Sequence, residues 1–296
     1  MLQISNLKKH FVGVKAVDGC SFEIKPNTIT ALIGPNGSGK STLFDLISGI
    51  IKPDSGNIKF NKENLTNLSV EQISNKGISR LFQQSRLFSN LTIEENLELA
   101  LNQEDTKFWK NFLNRNNPDN KSTINSILKL VNMSQHKNKK SSDLSFGQKR
   151  LIEIARSILN PHKLLMLDEP VAGVNPKLRN TISRVIKQLK QQGDTILLIE
   201  HDMNFTLNIA DHVIVLDNGK VIAEGTPDQI RNNKKVLEAY LGDWFQISSN
   251  NSWYFFATRS DTISNPIGLP SQRVIKTLFF VKVTDEGRFN LENLTS

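Results

Sequence analysis

The chain has 296 residues, 37 Lys and Arg against 29 Asp and Glu, and 38% hydrophobic residues. That is enough length and apolar content for a substantial core, and it excludes a wholly disordered chain. The single cysteine, Cys20, excludes an internal disulfide, and the longest apolar run, Trp253–Ala257, is far short of the roughly 20 residues of a membrane helix.

With no apolar leader at the start, the expected location is the cytoplasm. The net charge of +8 points to nucleic acid, an anionic membrane face or phosphate ligands. In the last stretch Arg259, Arg273, Lys276, Lys282 and Arg288 are balanced by Asp243, Asp261, Asp285, Glu286 and Glu292, so residues 1–242 carry the whole excess. Aromatic residues concentrate after Gly242, and the two compositions put a boundary there.

In chain order, Thr28–Ile33 is a β-rich run that ends in a Gly/Pro/Asn loop, and Ser41–Ser48 follows as a helix. Pro53–Gly56 is a turn into a strand at Gly56–Phe60, and Ile78–Phe82 is the next strand. Thr92–Val131 has a helical pattern broken by the polar stretch Asn114–Ser122, and the basic cluster Lys137–Lys140 reads as a solvated loop. Phe146–Leu159 is an amphipathic helix. Leu164–Leu167 and Thr195–Ile199 are continuous apolar runs, as in buried parallel strands, with a helix at Pro176–Gln192 between them. Val213–Leu216 and Val221–Ala223 flank Asp217-Asn218-Gly219, a hairpin signal, and short helices at Pro227–Asn232 and Val236–Leu241 follow. This alternation predicts an α/β domain.

Gly34-Pro35-Asn36-Gly37-Ser38-Gly39-Lys40-Ser41, followed by Thr42, fits the phosphate-loop pattern between a strand and a helix. Glycines let backbone amides close around phosphates, and the following helix adds the positive end of its dipole. Lys40 is then expected to reach the β- and γ-phosphates, and the Ser41 hydroxyl to ligate Mg²⁺. Asp168 ends a buried strand where a carboxylate can hold that Mg²⁺, and Glu169 is placed to polarise an attacking water. His201 follows the second buried strand, on the ligand rim of such a sheet. By itself it is either a solvated surface histidine or a hydrogen-bond donor to the γ-phosphate.

Leu144-Ser145-Phe146-Gly147-Gln148 resembles the LSGGQ signature of the ABC-transporter ATPases, and with the phosphate loop and Asp168-Glu169-Pro170 the likeness spans most of residues 1–242. Ser79–Gln83, Glu169–Pro176, Ile199–Met203 and Gly225–Gly242 are most similar to the ATP-binding subunits of branched-chain (hydrophobic) amino acid importers. The resemblance implies a P-loop NTPase cassette: an α/β mixed-sheet core, an antiparallel β-subdomain and an inserted helical subdomain at about 92–159. It implies ATP and Mg²⁺ as ligands, Phe11 as the adenine-stacking aromatic, Gln83 as a Mg²⁺-sensing glutamine at the membrane partner, and His201 as the switch histidine. Ser145, Gly147 and Gln148 would belong to the signature that faces the nucleotide of an opposing subunit, with Asn175 in the loop beside it. Phe146 departs from the signature's first glycine, so local geometry there is expected to differ.

The partners so implied are a second ATPase subunit, identical or a sister, two membrane-spanning permease subunits and, indirectly, a periplasmic binding protein, with no nucleic acid. The place is the inner face of the cytoplasmic membrane. Two other readings stay open: a urea or short-amide importer ATPase, and a non-transport ABC ATPase. The stretch 243–296 resembles nothing identifiable. Trp253–Phe256 and Leu278–Val283 read as strands of a small module, against an alternative of poor order or a non-native extension.

Overall fold

The computed structural model describes residues 1–81, 87–101, 118–159, 161–241, 279–283 and 289–293. The chain divides into two units, Met1–Asn233 and Lys234–Ser296. The first begins with β1 (Leu2–Phe11), β2 (Val14–Ile24), β3 (Ile29–Ile33), α1 (Lys40–Ile47), β4 (Ser55–Phe60), β5 (Glu63–Asn64), α2 (Val70–Asn75) and β6 (Ile78–Leu81). It continues with α3 (Ile93–Leu101), α4 (Pro118–Leu130), α5 (Phe146–Leu159), β7 (Leu164–Asp168), α6 (Pro176–Gln191) and β8 (Thr195–Ile199). It closes with α7 (Met203–Ile209), β9 (His212–Asp217), β10 (Lys220–Gly225) and α8 (Pro227–Arg231).

A six-stranded sheet of order β10-β9-β3-β8-β7-β6 is the core, parallel from β9 to β6 and antiparallel only at β10. The β9–β10 turn has Asn218 and Gly219 both at positive φ, the geometry that an Asn-Gly hairpin favours. A second, antiparallel sheet has the order β2-β1-β4-β5. The α/β mixed-sheet core and antiparallel subdomain expected above are both present.

β3, β7 and β8 are buried at every position because both faces of the sheet are covered. Leu165 and Leu167 of β7 and Ile196 and Leu198 of β8 join Ile93, Leu97, Ile124, Leu128, Leu151, Ile182 and Ile186 of the helices in one core. Their alternate neighbours Leu164, Met166, Leu197 and Ile199 join Leu43, Phe44 and Ile47 of α1 and Leu2, Ile4, Ile58 and Phe60 of the antiparallel sheet in the other. The strand period of two thus sends successive side chains into two separate cores.

The predicted bounds hold for Phe146–Leu159 and Thr195–Ile199 and lie within one or two residues for the other predicted elements, apart from Thr92–Val131, of which 102–117 lie outside the described residues. The hairpin β1–β2, like β5, α2 and α7, has no counterpart among the predicted elements. Its alternation stops after Ile4, where Asn6 takes φ 48° and the pairing with β2 shifts register before Leu7. The second difference is α4, which starts at Pro118, inside the stretch expected to interrupt the helix. Proline fits a first helical turn, where its missing N–H is not needed.

In the second unit, α9 (Lys234–Leu241) carries a Lys234–Glu238 ion pair one turn apart, and β11 (Phe279–Val283) pairs antiparallel with β12 (Phe289–Asn293). β11 matches the expected strand there; Trp253–Phe256 lies outside the described residues.

Leu165, the second residue of β7, has no solvent exposure. Leu165→Ala is expected to lower stability by about 2–5 kcal/mol, read as a shift of the denaturant midpoint at constant slope.

Candidate functional site

The loop from Gly34 to Gly39 joins the carboxyl end of β3 to α1. Two of its glycines are dictated by close approach. A Cβ on Gly34 would stand 2.1 Å from the Leu216 carbonyl oxygen, and one on Gly39, at φ 103°, would stand 2.1 Å from that of Ala16. The second contact seats β2 of the hairpin directly on the loop. Gly219 N–H also donates to the Ser38 carbonyl at 3.0 Å, so β2, the β9–β10 turn and the phosphate loop brace one another. Asn36, Gly37 and Ser41 remain open to solvent while Lys40 is buried. Lys40 Nζ donates to the carbonyls of Gly34 and Pro35, each at 2.9 Å. Burial pulls its pKa below the ordinary lysine value, and the charges of Glu169 and Asp168 pull it back up.

Asp168 ends β7 beside this loop. Burial holds its carboxyl above the usual range, and Arg80 offsets part of that rise. Arg80, on β6, donates to Asp168 Oδ2 at 3.2 Å, to Asp45 Oδ1 at 2.6 Å and to Ser48 Oγ at 2.9 Å. Its guanidinium lies over the Phe44 ring. The strand edge is thereby tied to α1 through one largely enclosed cation. Arg150 of α5 does the same for the backbone: its Nη2 donates to the carbonyl oxygens of Asp168 and Glu169 at 2.5 and 2.9 Å, and its Nη1 pairs with Glu153.

Glu169 has a left-handed backbone, φ 48°, in a turn where its amide donates to Ile199 O at 3.0 Å and its carbonyl accepts from Ala172 N–H. His201 Nε2 stands 2.8 Å from Glu169 Oε1, where an N–H on that nitrogen donates to the carboxylate. The two expected catalytic residues are therefore in direct contact. Glu200, between Ile199 and His201, is buried and accepts from Val171 N–H at 2.8 Å and from His201 N–H at 3.2 Å.

Ser145 and Gln148 cap α5 reciprocally. Ser145 N–H donates to Gln148 Oε1 at 2.9 Å, and Gln148 N–H to Ser145 Oγ at 3.4 Å. Phe146 does not distort this helix start. Its side chain turns outward, 63% exposed, with the ring so placed that a Cβ on Gly173 would stand 3.2 Å from Cε1. Gly147 is the position under steric demand, since a Cβ there would meet Leu178 Cδ1 at 2.5 Å. Asn175 caps α6 by accepting from Leu178 N–H. Phe11, at the tip of the β1–β2 hairpin, is half exposed and has Lys9 Nζ 5.6 Å from its ring.

Gln83 lies outside the described residues. The residues Gly34 to Thr42, Asp168, Glu169 and His201 come together at the carboxyl ends of β3, β7 and β8. Arg80, Arg150 and Glu200 were not anticipated. The available signal was a charged residue inside or next to an otherwise apolar strand or helix face, which must have built-in partners.

A divalent cation fits the donor set if it arrives with its ligand. Among the described residues no three of His, Cys, Asp and Glu form a metal cluster. Ser41 and Asp168 instead offer single hard oxygens beside the phosphate loop. That suits Mg²⁺, which is held by one or two protein oxygens together with phosphates.

A family model described as ABC transporter matches residues 17–172, and one described as branched-chain amino acid ATP-binding cassette transporter matches residues 220–243. The high-affinity branched-chain amino acid transport ATP-binding protein BraF of Pseudomonas aeruginosa is 36% identical over 250 residues, 82% of this chain and 98% of that protein. LivG of Escherichia coli, described in the same words, is 38% identical over 250 residues with the same coverage. The crystal structure of a nucleotide-free ATP-binding cassette from an ABC transporter superposes with a TM-score of 0.73 at 35% identity, covering 82% of this chain and 99% of that one.

Burial raises the Glu200 carboxyl from the ordinary 4.5 to about 7. Between those values the folded chain binds a proton that the unfolded chain has released. The contribution of Glu200 to stability is therefore whole below about pH 4.5 and is lost as pH rises through about 7. Glu200→Gln is expected to flatten the fall of unfolding free energy over roughly pH 5 to 8, measured by denaturant titration. Parallel profiles for the two proteins would contradict it.

Proposed function

This chain belongs to the ABC transporter family and is an ATP-hydrolysing cassette, and from that premise we propose that it energises uptake of branched-chain amino acids through a separate membrane permease. The observation that carries the solute class is the match of residues 220–243 to the branched-chain cassette model, joined to 36% and 38% identity with BraF and LivG over 98% of their lengths. Among the described residues no helix is long and apolar enough to cross a membrane, so the translocation path is assigned to another chain at the inner membrane face. We assign residues 1–242 to the cassette, with its helical subdomain at about 92–159, and leave 243–296 as an extension of unassigned role.

ATP would lie with its base against Phe11 and its phosphates over the amides of Gly34–Gly39. Lys40 would exchange the carbonyls of Gly34 and Pro35 for the β- and γ-phosphate oxygens, the better partners for a buried cation. Ser41 and Asp168 would hold Mg²⁺, joined by Gln83 as the resemblance implies. When bound, Mg²⁺ withdraws negative charge from the phosphate oxygens.

Glu169 is the assigned base: its carboxylate would accept the water's proton as the water oxygen attacks the γ-phosphorus in line and the bond from that phosphorus to the β,γ-bridging oxygen breaks, releasing ADP and phosphate. His201 holds Glu169 in the free chain through the one N–H on Nε2, which it would share between that carboxylate and a γ-phosphate oxygen when ATP is bound. Ser145 and Gly147 sit at the start of α5 in this chain. They would complete the site of a second cassette, identical or a sister, and the signature of that subunit would complete this one. ATP favours the closed pair over ADP and so supplies the differential binding that drives closure and release.

Glu169→Gln should bind ATP and form the closed pair while hydrolysis falls about a hundredfold or more; Lys40→Ala should weaken ATP binding itself. In cells carrying Glu169→Gln, uptake of labelled leucine, isoleucine and valine should be lost. Loss of urea uptake with branched-chain uptake intact would overturn the solute assignment.

A further inference from the structure

Glu200 is 3% exposed and, in the mechanism above, has no contact with ATP. It is nevertheless placed where the two halves of the hydrolytic pair are joined. Its Oε1 accepts the amide of Val171, two residues beyond Glu169, and its Oε2 accepts the amide of His201. The residue before it, Ile199, takes the amide of Glu169 on its carbonyl. The turn that follows Glu169 is thus fastened to the end of β8 at two points, one of them this side chain.

Only a carboxylate supplies that pattern without conflict. Both oxygens must accept, whereas an amide side chain has one acceptor and would set an NH₂ against one of the two N–H groups. Burial and the nearby charge of Glu169 both disfavour ionisation, and the accepted backbone hydrogen bonds oppose them. The charge acting on it is Glu169 from the β7 side, while the backbone amides of Val171, His201 and Asp202 favour its ionised form; the Asp202 carboxylate is itself paired with Arg179 of α6. A buried carboxylate beside another carboxylate is retained for its donors, not for packing.

We propose that Glu200 is a positioning residue for ATP hydrolysis, locking the turn after Glu169 to the residue that carries the imidazole and so fixing the Glu169–His201 contact. It rests on the assignment of Glu169 as the base. A loose contact of this kind moves the carboxylate relative to the attacking water, and a displacement of about 1 Å in such geometry costs up to a hundredfold in rate. Nucleotide binding, which depends on the phosphate loop, is unaffected.

The test compares full-length wild type, Glu200→Gln, Glu200→Ala and Glu169→Gln with Mg·ATP, measuring ATP affinity, KM and kcat. Glu200→Gln is expected to keep ATP affinity and KM within about threefold and to lose about tenfold in kcat, with Glu200→Ala losing more. Wild-type kcat in Glu200→Gln, or a parallel loss of affinity and rate, overturns the proposal. If Glu169→Gln itself turns over normally, the base assignment falls and this proposal with it; if Glu169→Gln is inactive and Glu200→Gln normal, only the positioning role falls. A measurement on the unaltered chain guards against a variant that fails to fold. The Val171 and His201 amides should exchange with solvent at least about tenfold more slowly than unprotected amides. Rapid exchange at both overturns the proposal.

Discussion

The parallel register of three neighbouring strands is the constraint on which the site depends. Leu32 of β3 and Asp168 of β7 both face Ile199 of β8, on its two sides. Once those pairs are set, the chain leaves all three strands at one edge. The phosphate loop, the Asp168-Glu169 step and the Glu200-His201 step are then neighbours without any long-range loop having to find another. Slippage of one strand by a single residue would invert its side chains between the two cores and separate the three steps. The register is therefore held by the same apolar alternation that stabilises the sheet.

Around that edge the protein buries charge heavily. Lys40, Arg150, Glu153, Asp168 and Glu200 are each under a tenth exposed, and the Arg80 side chain is nearly as enclosed. Each has internal partners, and several of those partners are backbone carbonyls or amides rather than opposite charges. Such partners are already aimed before ligand arrives, so the polar geometry needs little rearrangement during reaction. Arg80 and Arg150 reach the same strand end from opposite directions, one to the Asp168 side chain and one to its carbonyl. That end of β7 is accordingly held from β6 and α1 on one side and from α5 on the other.

Much of this was legible beforehand, for reasons that differ by element. The phosphate loop is readable because glycine is demanded at fixed spacing by backbone approach, as the Leu216 and Ala16 carbonyls show. The strands β7 and β8 are readable because burial on both faces leaves an unbroken apolar run. The hairpin β1–β2 was not, because the left-handed Asn6 breaks its alternation. Arg80, Arg150 and Glu200 were not, because one charged residue in an apolar context states that a partner exists without saying which. Phe146 was legible as a departure, but its consequence was not: the ring turns away from the helix start to lie against Gly173.

The backbone of Glu169 carries a further consequence. At φ 48° it occupies a conformation that glycine and asparagine enter easily and β-branched residues scarcely at all. A Glu-to-Val change, one base away in the codon, would therefore strain the turn as well as remove the carboxylate. The position is filtered by shape before it is filtered by chemistry. Replacements that persist there should be those whose backbone tolerates the turn, whatever their side chains can do, which narrows the routes by which such a chain can drift from an active to an inactive cassette while still folding.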